Sequence, residues 1–104
     1  MTKYVIAYHG GRKFETPNEG AVYMAKWKAW MGSLGNAVVD PGMPLGAGKL
    51  ISASGVTERG TDLLSGFSIV TAEGLDAVLA LAQKFPHLDH GTIEVAEVME
   101  MKMR

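Results

Sequence analysis

The sequence predicts one α+β domain over residues 1–104 with the ferredoxin-like order βαββαβ, an antiparallel four-stranded sheet with both helices on one face. Two observations support this class. Two segments with the three- and four-residue apolar spacing of helices alternate with shorter runs rich in β-branched and aromatic residues. Glycine and proline stand at the ends of these segments, and no internal repeat, low-complexity tract or second domain interrupts them.

The first strand is predicted at residues 3–9, KYVIAYH, closed by Gly10 and Gly11. Apolar side chains alternate onto both faces, which is typical of a central strand covered on both sides. His9 ends the run at the carboxyl edge of the strand. Two interpretations of His9 stay open: a catalytic base at the edge of a pocket, or a hydrogen-bonded strand-end histidine.

The first helix is predicted to begin at a capping box and to end at a glycine. Thr16 suits the N-cap, Pro17 the first helical position and Glu19 the third. The helix runs to about Leu34, because Gly35 is the residue type that most often follows a helix end.

The apolar stripe of this helix is unusually aromatic. Its members are Tyr23, Trp27, Trp30, Met31 and Leu34. Such a stripe is most often core. Tyrosine and tryptophan also line small-molecule pockets well, so Tyr23, Trp27 and Trp30 are candidate substrate-binding residues.

The middle of the chain predicts short strands joined by glycine-rich turns. Residues 36–40, NAVVD, form a strand, residues 49–58 a hairpin turning near Ser54 and Gly55, residues 58–66 a mobile loop, and residues 66–72, GFSIVTA, a further strand. Asp40 is either an orienting carboxylate or, as the following Pro-Gly favours, the start of a turn.

The string GAGK invites a phosphate-loop interpretation, which the neighbouring residues exclude. Met43 stands where the first glycine of that motif belongs, and Leu50 stands where serine or threonine is required.

The last third of the chain predicts an amphipathic helix, a polar loop and a strand. The helix begins at Leu75 and stops at Phe85, because Pro86 cannot continue the hydrogen-bond ladder. The strand begins after Gly91, and one side of it carries Ile93, Val95, Glu97, Met99, Met101 and Met103. Glu97 interrupts this apolar row: a bulge or frayed end that returns it to water is favoured over a carboxylate that faces a cavity.

This methionine-rich row suggests that the sheet face without helices is also buried. The simplest cover is a second copy of the chain, so the sequence predicts a homodimer through that face.

Composition excludes some function classes and disfavours others. The formal net charge is −1, without the basic stripe of a nucleic-acid-binding protein. The chain contains no cysteine, so disulfides, thiol catalysis and thiolate metal sites are excluded. The amino terminus does not resemble a targeting segment, and no segment approaches the about 20 apolar residues of a membrane span. We therefore expect a cytoplasmic protein that does not bind a membrane, nucleic acid or cofactor.

The loop between the last helix and strand holds the most reactive side chains, His87, Asp89 and His90. Histidine with a carboxylate is the usual combination for general acid–base chemistry, although all three can simply be solvated loop residues. A metal site ranks well below acid–base chemistry, because donors this close on a short loop rarely converge on one ion. We expect no metal.

The ordered set of segments resembles the YCII-related domain family, near its DGPF-type branch. The likeness rests on KYVIAYHGG, WKAWMGSLG, VVDPGMPL and the run from Gly66 to Val98, and it spans almost the whole chain. ERGTDLLSGF stands where the DGPF signature belongs. The resemblance implies a dimeric α+β barrel in which two four-stranded sheets meet.

The resemblance does not carry an activity to this chain. Some family members resemble enzymes of small cyclic or chlorinated ring compounds with a histidine–aspartate pair, whose positions fall here at Met24 and Phe85. Two hypotheses follow. The first is a lyase- or isomerase-like enzyme acting on small cyclic or aromatic acids, with His87 or His9 as base, Asp40 or Glu97 as orienting carboxylate, and His90 at the pocket rim. The second is a non-catalytic dimeric module that binds a small ligand or a protein partner.

Overall fold

The computed structural model describes residues 1–10, 15–46, 48–58 and 63–99. The strands are β1 (Thr2–Gly10), β2 (Val38–Asp40), β3 (Lys49–Ser52), β4 (Gly55–Glu58), β5 (Leu64–Ala72) and β6 (Gly91–Glu97). The α-helices are α1 (Pro17–Leu34) and α2 (Leu75–Ala82), and short 3-10 turns cover Gly35–Ala37 and Pro86–Asp89.

The main sheet has the order β2-β5-β1-β6, and every neighbouring pair is antiparallel. This confirms the predicted α+β class, with the two helices and the central position of β1. The strands β3 and β4 form the predicted hairpin as a separate two-stranded sheet, and all eight of their residues are exposed.

Helix α1 has the predicted bounds because both of its ends are capped as the sequence indicated. The Thr16 hydroxyl accepts a hydrogen bond from the backbone N–H of Glu19 at 3.2 Å. The Glu19 carboxylate reaches back one residue further than an ideal capping box and accepts from the N–H of Glu15 at 3.0 Å. Gly35 follows the helix at φ 55°, a left-handed φ that favours glycine.

Helix α2 ends three residues earlier than predicted, at Ala82. Phe85 is instead extended, at φ −70° and ψ 129°, and its ring is 2% exposed. The ring centroid lies 4.2 Å from that of Trp30 and 4.6 Å from that of Tyr8. Burial of this ring therefore sets the path of the chain, and Pro86 begins a 3-10 turn.

The core lies between the helices and one face of the sheet. Tyr4, Ile6 and Tyr8 of β1 are buried, and Trp27, Trp30, Ile93 and Val95 pack partly buried against the same cluster. On β6, Ile93 pairs with Tyr8 and Val95 with Ile6. The row that contains Ile93 and Val95 therefore faces the helices.

The prediction that this row forms the uncovered face is wrong, because alternation alone does not say which side the helices cover. The uncovered face instead carries the opposite parity of the register. Its apolar members away from the cavity are Val5, Ala7, Ile69 and Ala96. The strand also ends at Glu97 rather than Met103; Met99 is exposed, and Met101 and Met103 lie outside the described residues.

Two further predictions concern a loop and membrane spans. The predicted mobile loop at 58–66 includes residues 59–62, which lie outside the described ranges, and residues from Leu64 onward already belong to β5. Among the described helices, none is long and apolar enough to cross a bilayer.

Candidate functional site

A cavity of about 580 Å³ opens at the end of the sheet where β1 meets α1. Helix α1 and the segment after α2 line one side with Tyr23, Met24, Trp27, His87 and His90. The sheet and the segment after β2 line the other side with Tyr8, Gly10, residues 41–44, Leu63, Ser65 and Phe67. The volume lies within the range of about 300–1,000 Å³ usual for small-molecule sites, and the wall is mostly apolar and aromatic.

The segment after β2 is held against the sheet by two features. The Asp40 carboxylate accepts a hydrogen bond from the N–H of Gly42 at 2.8 Å, and Gly42 adopts φ 77°. A Cβ at Gly42 would lie 1.6 Å from the carbonyl oxygen of Phe67. Asp40 thus stabilises the Asp-Pro-Gly turn, the interpretation that the sequence favoured, and its neighbours rather than its own side chain line the cavity.

Tyr8 is the polar centre of the cavity floor. Its hydroxyl is hydrogen-bonded to Ser68, which is fully buried, and it accepts from Nε1–H of Trp27 at 3.4 Å. The Ser68 hydroxyl donates to the carbonyl oxygen of Pro41 at 2.6 Å, because a carbonyl can only accept. Ser68 has one proton, so it must accept the proton of Tyr8. The order Trp27 to Tyr8 to Ser68 to Pro41 is therefore a directed chain.

Tyr8 and Tyr23 are neutral phenols over the whole neutral range. Burial raises the pKa of Tyr8, and the hydrogen bonds of Ser68 and Trp27 only partly offset this. Burial raises the pKa of Tyr23 to about 12, with added contributions from the negative charges of ionised Tyr8 and of Asp89.

His87 is the buried histidine of the site, at 6% exposure, and it stacks near Tyr8 with ring centroids 5.5 Å apart. Its Nε2 lies 2.9 Å from the main-chain oxygen of His9. Because that oxygen can only accept, Nε2 carries the proton, and Nδ1 is the nitrogen that can take up another. The orienting partner of the predicted base is thus a backbone carbonyl rather than a carboxylate.

The His9 side chain lies on the opposite face of the sheet. It belongs to the parity of Val5 and Ala7, and its Nε2 lies 3.1 Å from a carboxylate oxygen of Glu94. Its Nδ1 is buried and has no hydrogen-bond partner among the described residues. Residue 9 therefore reaches the cavity through its carbonyl alone.

The predicted carboxylates do not converge on the histidines. Glu97 is the exposed last residue of β6 and does not line the cavity. Asp89 lies 3.8 Å from Nζ of Lys26, and both side chains are more than half exposed. Such a pair contributes at most about 1 kcal/mol.

Of the remaining candidates, His87, His90, Tyr23 and Trp27 share the cavity wall, and the ring of His90 packs edge-on to Tyr23 at 5.4 Å. Trp30 does not line it and packs on Phe85 in the core.

The sequence interpretation missed Tyr8 and Ser68. Tyr8 ends the buried row of β1, which is the available signal for a residue at a sheet edge. No pattern distinguishes Ser68 from any other strand serine.

Met24 and Phe85, where the resemblance places a histidine–aspartate pair, lie in different surroundings. Met24 lines the cavity, whereas Phe85 is buried in the core. Within the described ranges, no group of three or more histidine, aspartate or glutamate side chains is arranged to hold a metal ion.

Comparison with known proteins finds one family and a structural likeness. A model of the YCII-related domain matches residues 4–102. The chain is similar in structure to 5-chloro-2-hydroxyhydroquinone dehydrochlorinase (TftG) from Burkholderia phenoliruptrix AC1100, in complex with 2,5-dihydroxybenzoquinone. The TM-score is 0.61 at 18% identity, with 95% of each chain covered. At this identity the likeness shows the fold. A search of curated proteins finds no match.

Proposed function

The chain belongs to the YCII-related domain family, and from this membership and the cavity we propose that it binds a small cyclic or aromatic compound and acts on it by proton transfer. The observation that carries the proposal is His87, a buried histidine in an aromatic-walled cavity with one nitrogen fixed by the carbonyl of His9. The reaction class is that of an isomerase or lyase.

The chemistry follows from the two nitrogens of His87. Nδ1 removes a proton from the bound ring, and the imidazolium that results keeps its Nε2–H on the His9 carbonyl, which stabilises the positive charge. Return of the proton to another ring atom gives isomerisation, and loss of a leaving group gives elimination. The similar structure, which is named as a dehydrochlorinase of a hydroxylated ring and holds a single-ring compound, supports the proposal that the ligand is a small ring compound.

A matched pair of variants tests the base. Small lactones that carry a ring hydroxyl, incubated with the protein in deuterated water, should exchange ring hydrogens, as followed by proton NMR, and His87→Gln should abolish this exchange. His9→Gln distinguishes the role of the His9 side chain from that of its backbone carbonyl, because it removes the imidazole and leaves the carbonyl. Loss of exchange in His9→Gln but not in His87→Gln would contradict the assignment of the base.

Ligand charge should show in the pH dependence of binding. An aromatic carboxylate in this cavity would pair with protonated imidazole, since no lysine or arginine stands among the described lining residues. Binding of such acids, measured by quenching of Trp27, should weaken as pH rises from about 5 to 8, because this pairing requires a protonated ring. Binding that is unchanged over this range would exclude the pairing.

The second candidate function is a non-catalytic ligand-binding module. The absence of an aspartate or glutamate among the described lining residues favours it over acid–base chemistry that needs a carboxylate. Tight binding of ring compounds without any hydrogen exchange, in wild type and His87→Gln alike, would support this alternative.

We further propose that the protein is a cytoplasmic homodimer, as the family resemblance implies. The support is the uncovered sheet face, which carries Val5, Ala7, Ile69 and Ala96 in adjacent positions on three strands. An apolar sheet face of this kind is normally covered in a stable protein.

A further inference from the structure

Several hydrogen-bond donors around the cavity are already used by the protein. Two are backbone groups: Gly10 N–H donates to the carbonyl of Leu63 at 2.7 Å, and Gly42 N–H donates to Asp40 at 2.8 Å. The Ser65 hydroxyl donates to the main-chain oxygen of Tyr8 at 3.2 Å. Pro41 has no N–H to offer.

Three larger side chains, Trp27, Tyr8 and His87, also donate their protons to protein acceptors. Trp27 donates to Tyr8, Tyr8 donates to Ser68, and His87 donates to the carbonyl of His9. Each of these protons points at a protein acceptor. Tyr23 and His90 also line the cavity, and each takes part in an interaction of its own.

What these groups still offer a ligand is acceptor capacity. The Tyr8 oxygen accepts from Trp27 and keeps a second lone pair, and His87 keeps the lone pair of Nδ1, which has no partner among the described residues. The two rings are stacked neighbours, with centroids 5.5 Å apart. The polar corner of the cavity therefore presents two acceptors beside apolar walls.

We propose that the cavity selects ring compounds that donate hydrogen bonds, namely phenols or enols, through the Tyr8 oxygen and Nδ1 of His87. This rests on the proposed function of the cavity as a ligand site and narrows its ligand class. A ring ether, or an ionised carboxylate beside a neutral imidazole, brings only acceptors and would leave both protein acceptors unpaired.

Ser68 sets this selectivity without contact with the ligand. It is fully buried, does not line the cavity, and is fixed as an acceptor toward Tyr8 by its own bond to Pro41. If Ser68 is removed, the Tyr8 proton is released and can turn toward the ligand. Ser68 is thus a positioning residue that decides whether Tyr8 accepts or donates.

A series of three compounds that differ only by methylation tests the ligand class. Catechol, guaiacol and veratrole carry two, one and no ring hydroxyls on the same benzene ring. Each methylation should weaken binding about tenfold in an NMR titration, because it leaves one more buried acceptor unpaired. Benzoate above neutral pH should bind no better than veratrole.

Two variants of β5 test the positioning role. Ser68→Ala should reduce the catechol-to-veratrole ratio from about a hundredfold to about tenfold, because the released Tyr8 proton can serve one ether oxygen while Nδ1 of His87 still requires a donor. Thr71→Val is the matched control, since Thr71 also donates its hydroxyl to a main-chain carbonyl, that of Ala37 at 3.3 Å, and does not line the cavity. It should keep the wild-type ratio.

The outcomes separate this inference from the proposed function. Equal binding of the three compounds overturns donor selection and leaves the cavity as a ligand site. No binding of any of them overturns both. A folded Ser68→Ala protein with the wild-type ratio excludes Ser68 as the positioning residue. If Ser68→Ala does not fold, Tyr8→Phe replaces it: loss of the oxygen should lower catechol affinity to that of guaiacol, and unchanged catechol affinity overturns the role of Tyr8.

Discussion

Tyr8 connects more of the site than any residue singled out by sequence pattern. Its ring contacts Phe85 and His87, and its hydroxyl joins α1 to β5 through Trp27 and Ser68. Gly66, its strand partner, leaves room for the ring, since a Cβ there would lie 2.8 Å from Cδ2 of Tyr8. The polar chemistry of the cavity is therefore set by small residues around one large ring.

Gly42 should be the glycine least tolerant of a side chain. Gly42→Ala places a methyl group against the backbone of Phe67 and keeps a left-handed φ, so unfolding experiments in denaturant should show a loss of about 2–4 kcal/mol. Gly46→Ala is the control, because nothing lies within 4 Å of its added Cβ. A Gly42→Ala protein as stable as the control would contradict the described path of residues 41–44.

Tyr23 should make the protein sensitive to alkali. Its folded pKa of about 12 exceeds the ordinary value of 10.0, so the neutral form is favoured by folding. This stabilisation is fully present below pH 10 and is lost as pH rises from about 10 to 12, because the unfolded chain ionises first. Near-ultraviolet titration of tyrosinate should show a late phase that Tyr23→Phe reduces, since the pKa of Tyr8 is raised as well. A phase near pH 10 in its place would disprove the shift.

At the scale of elements, the sequence predicted those helix and turn boundaries that residues close together in sequence determine. The bounds of α1, the glycine after it and the β3–β4 hairpin follow from caps and turns that neighbouring residues form together. The early end of α2 does not, because the burial of Phe85 against Trp30 depends on residues far apart in sequence. The prediction of which side of β6 faces the helices was wrong for a similar reason. The alternation of its side chains is visible in the sequence, but the side of the sheet that the helices cover is not.

The N-cap of α1 gives a direct test of the element that holds the aromatic wall. Thr16→Ala removes the acceptor for the Glu19 N–H and should cost about 1 kcal/mol of unfolding free energy. Asn18→Ala, two residues further on, changes an exposed first-turn side chain without affecting that bond, and should be within about 0.5 kcal/mol of wild type. Equal stability of both variants would place the helix start elsewhere.

At the scale of the whole molecule, the two faces of the sheet differ in what they contact. The face toward the helices holds the core and, at its end, the cavity. The opposite face carries Val5, Ala7 and Ile69 next to the His9–Glu94 pair. Sequence analysis predicted that this second face is buried but assigned it the wrong side of β6. It also offered the His9 ring as a base at the pocket edge, beside the alternative of a hydrogen-bonded strand-end histidine, because residue type does not reveal which atoms of a residue reach a cavity.

The proposed dimer should dissociate when a charge is introduced on the uncovered sheet face. Ala96→Glu adds a carboxylate on the exposed β6 position opposite Val5, and sedimentation should then show a species of 11.1 kDa in place of twice that mass. Ala77→Glu makes the same change at an exposed position of α2 and should leave the dimer intact. A dimer that survives Ala96→Glu, or a monomeric wild type, would rule out this interface.

The support of His87 by the His9 carbonyl has a consequence for how this site can change over generations. Every amino acid supplies the same main-chain oxygen, so the hydrogen-bond partner of the His87 ring persists whatever side chain occupies position 9. Alignments and alanine scans register side chains only and would pass over it. Relatives that lack any histidine–carboxylate pair can therefore keep an oriented imidazole, provided that the strand keeps its register.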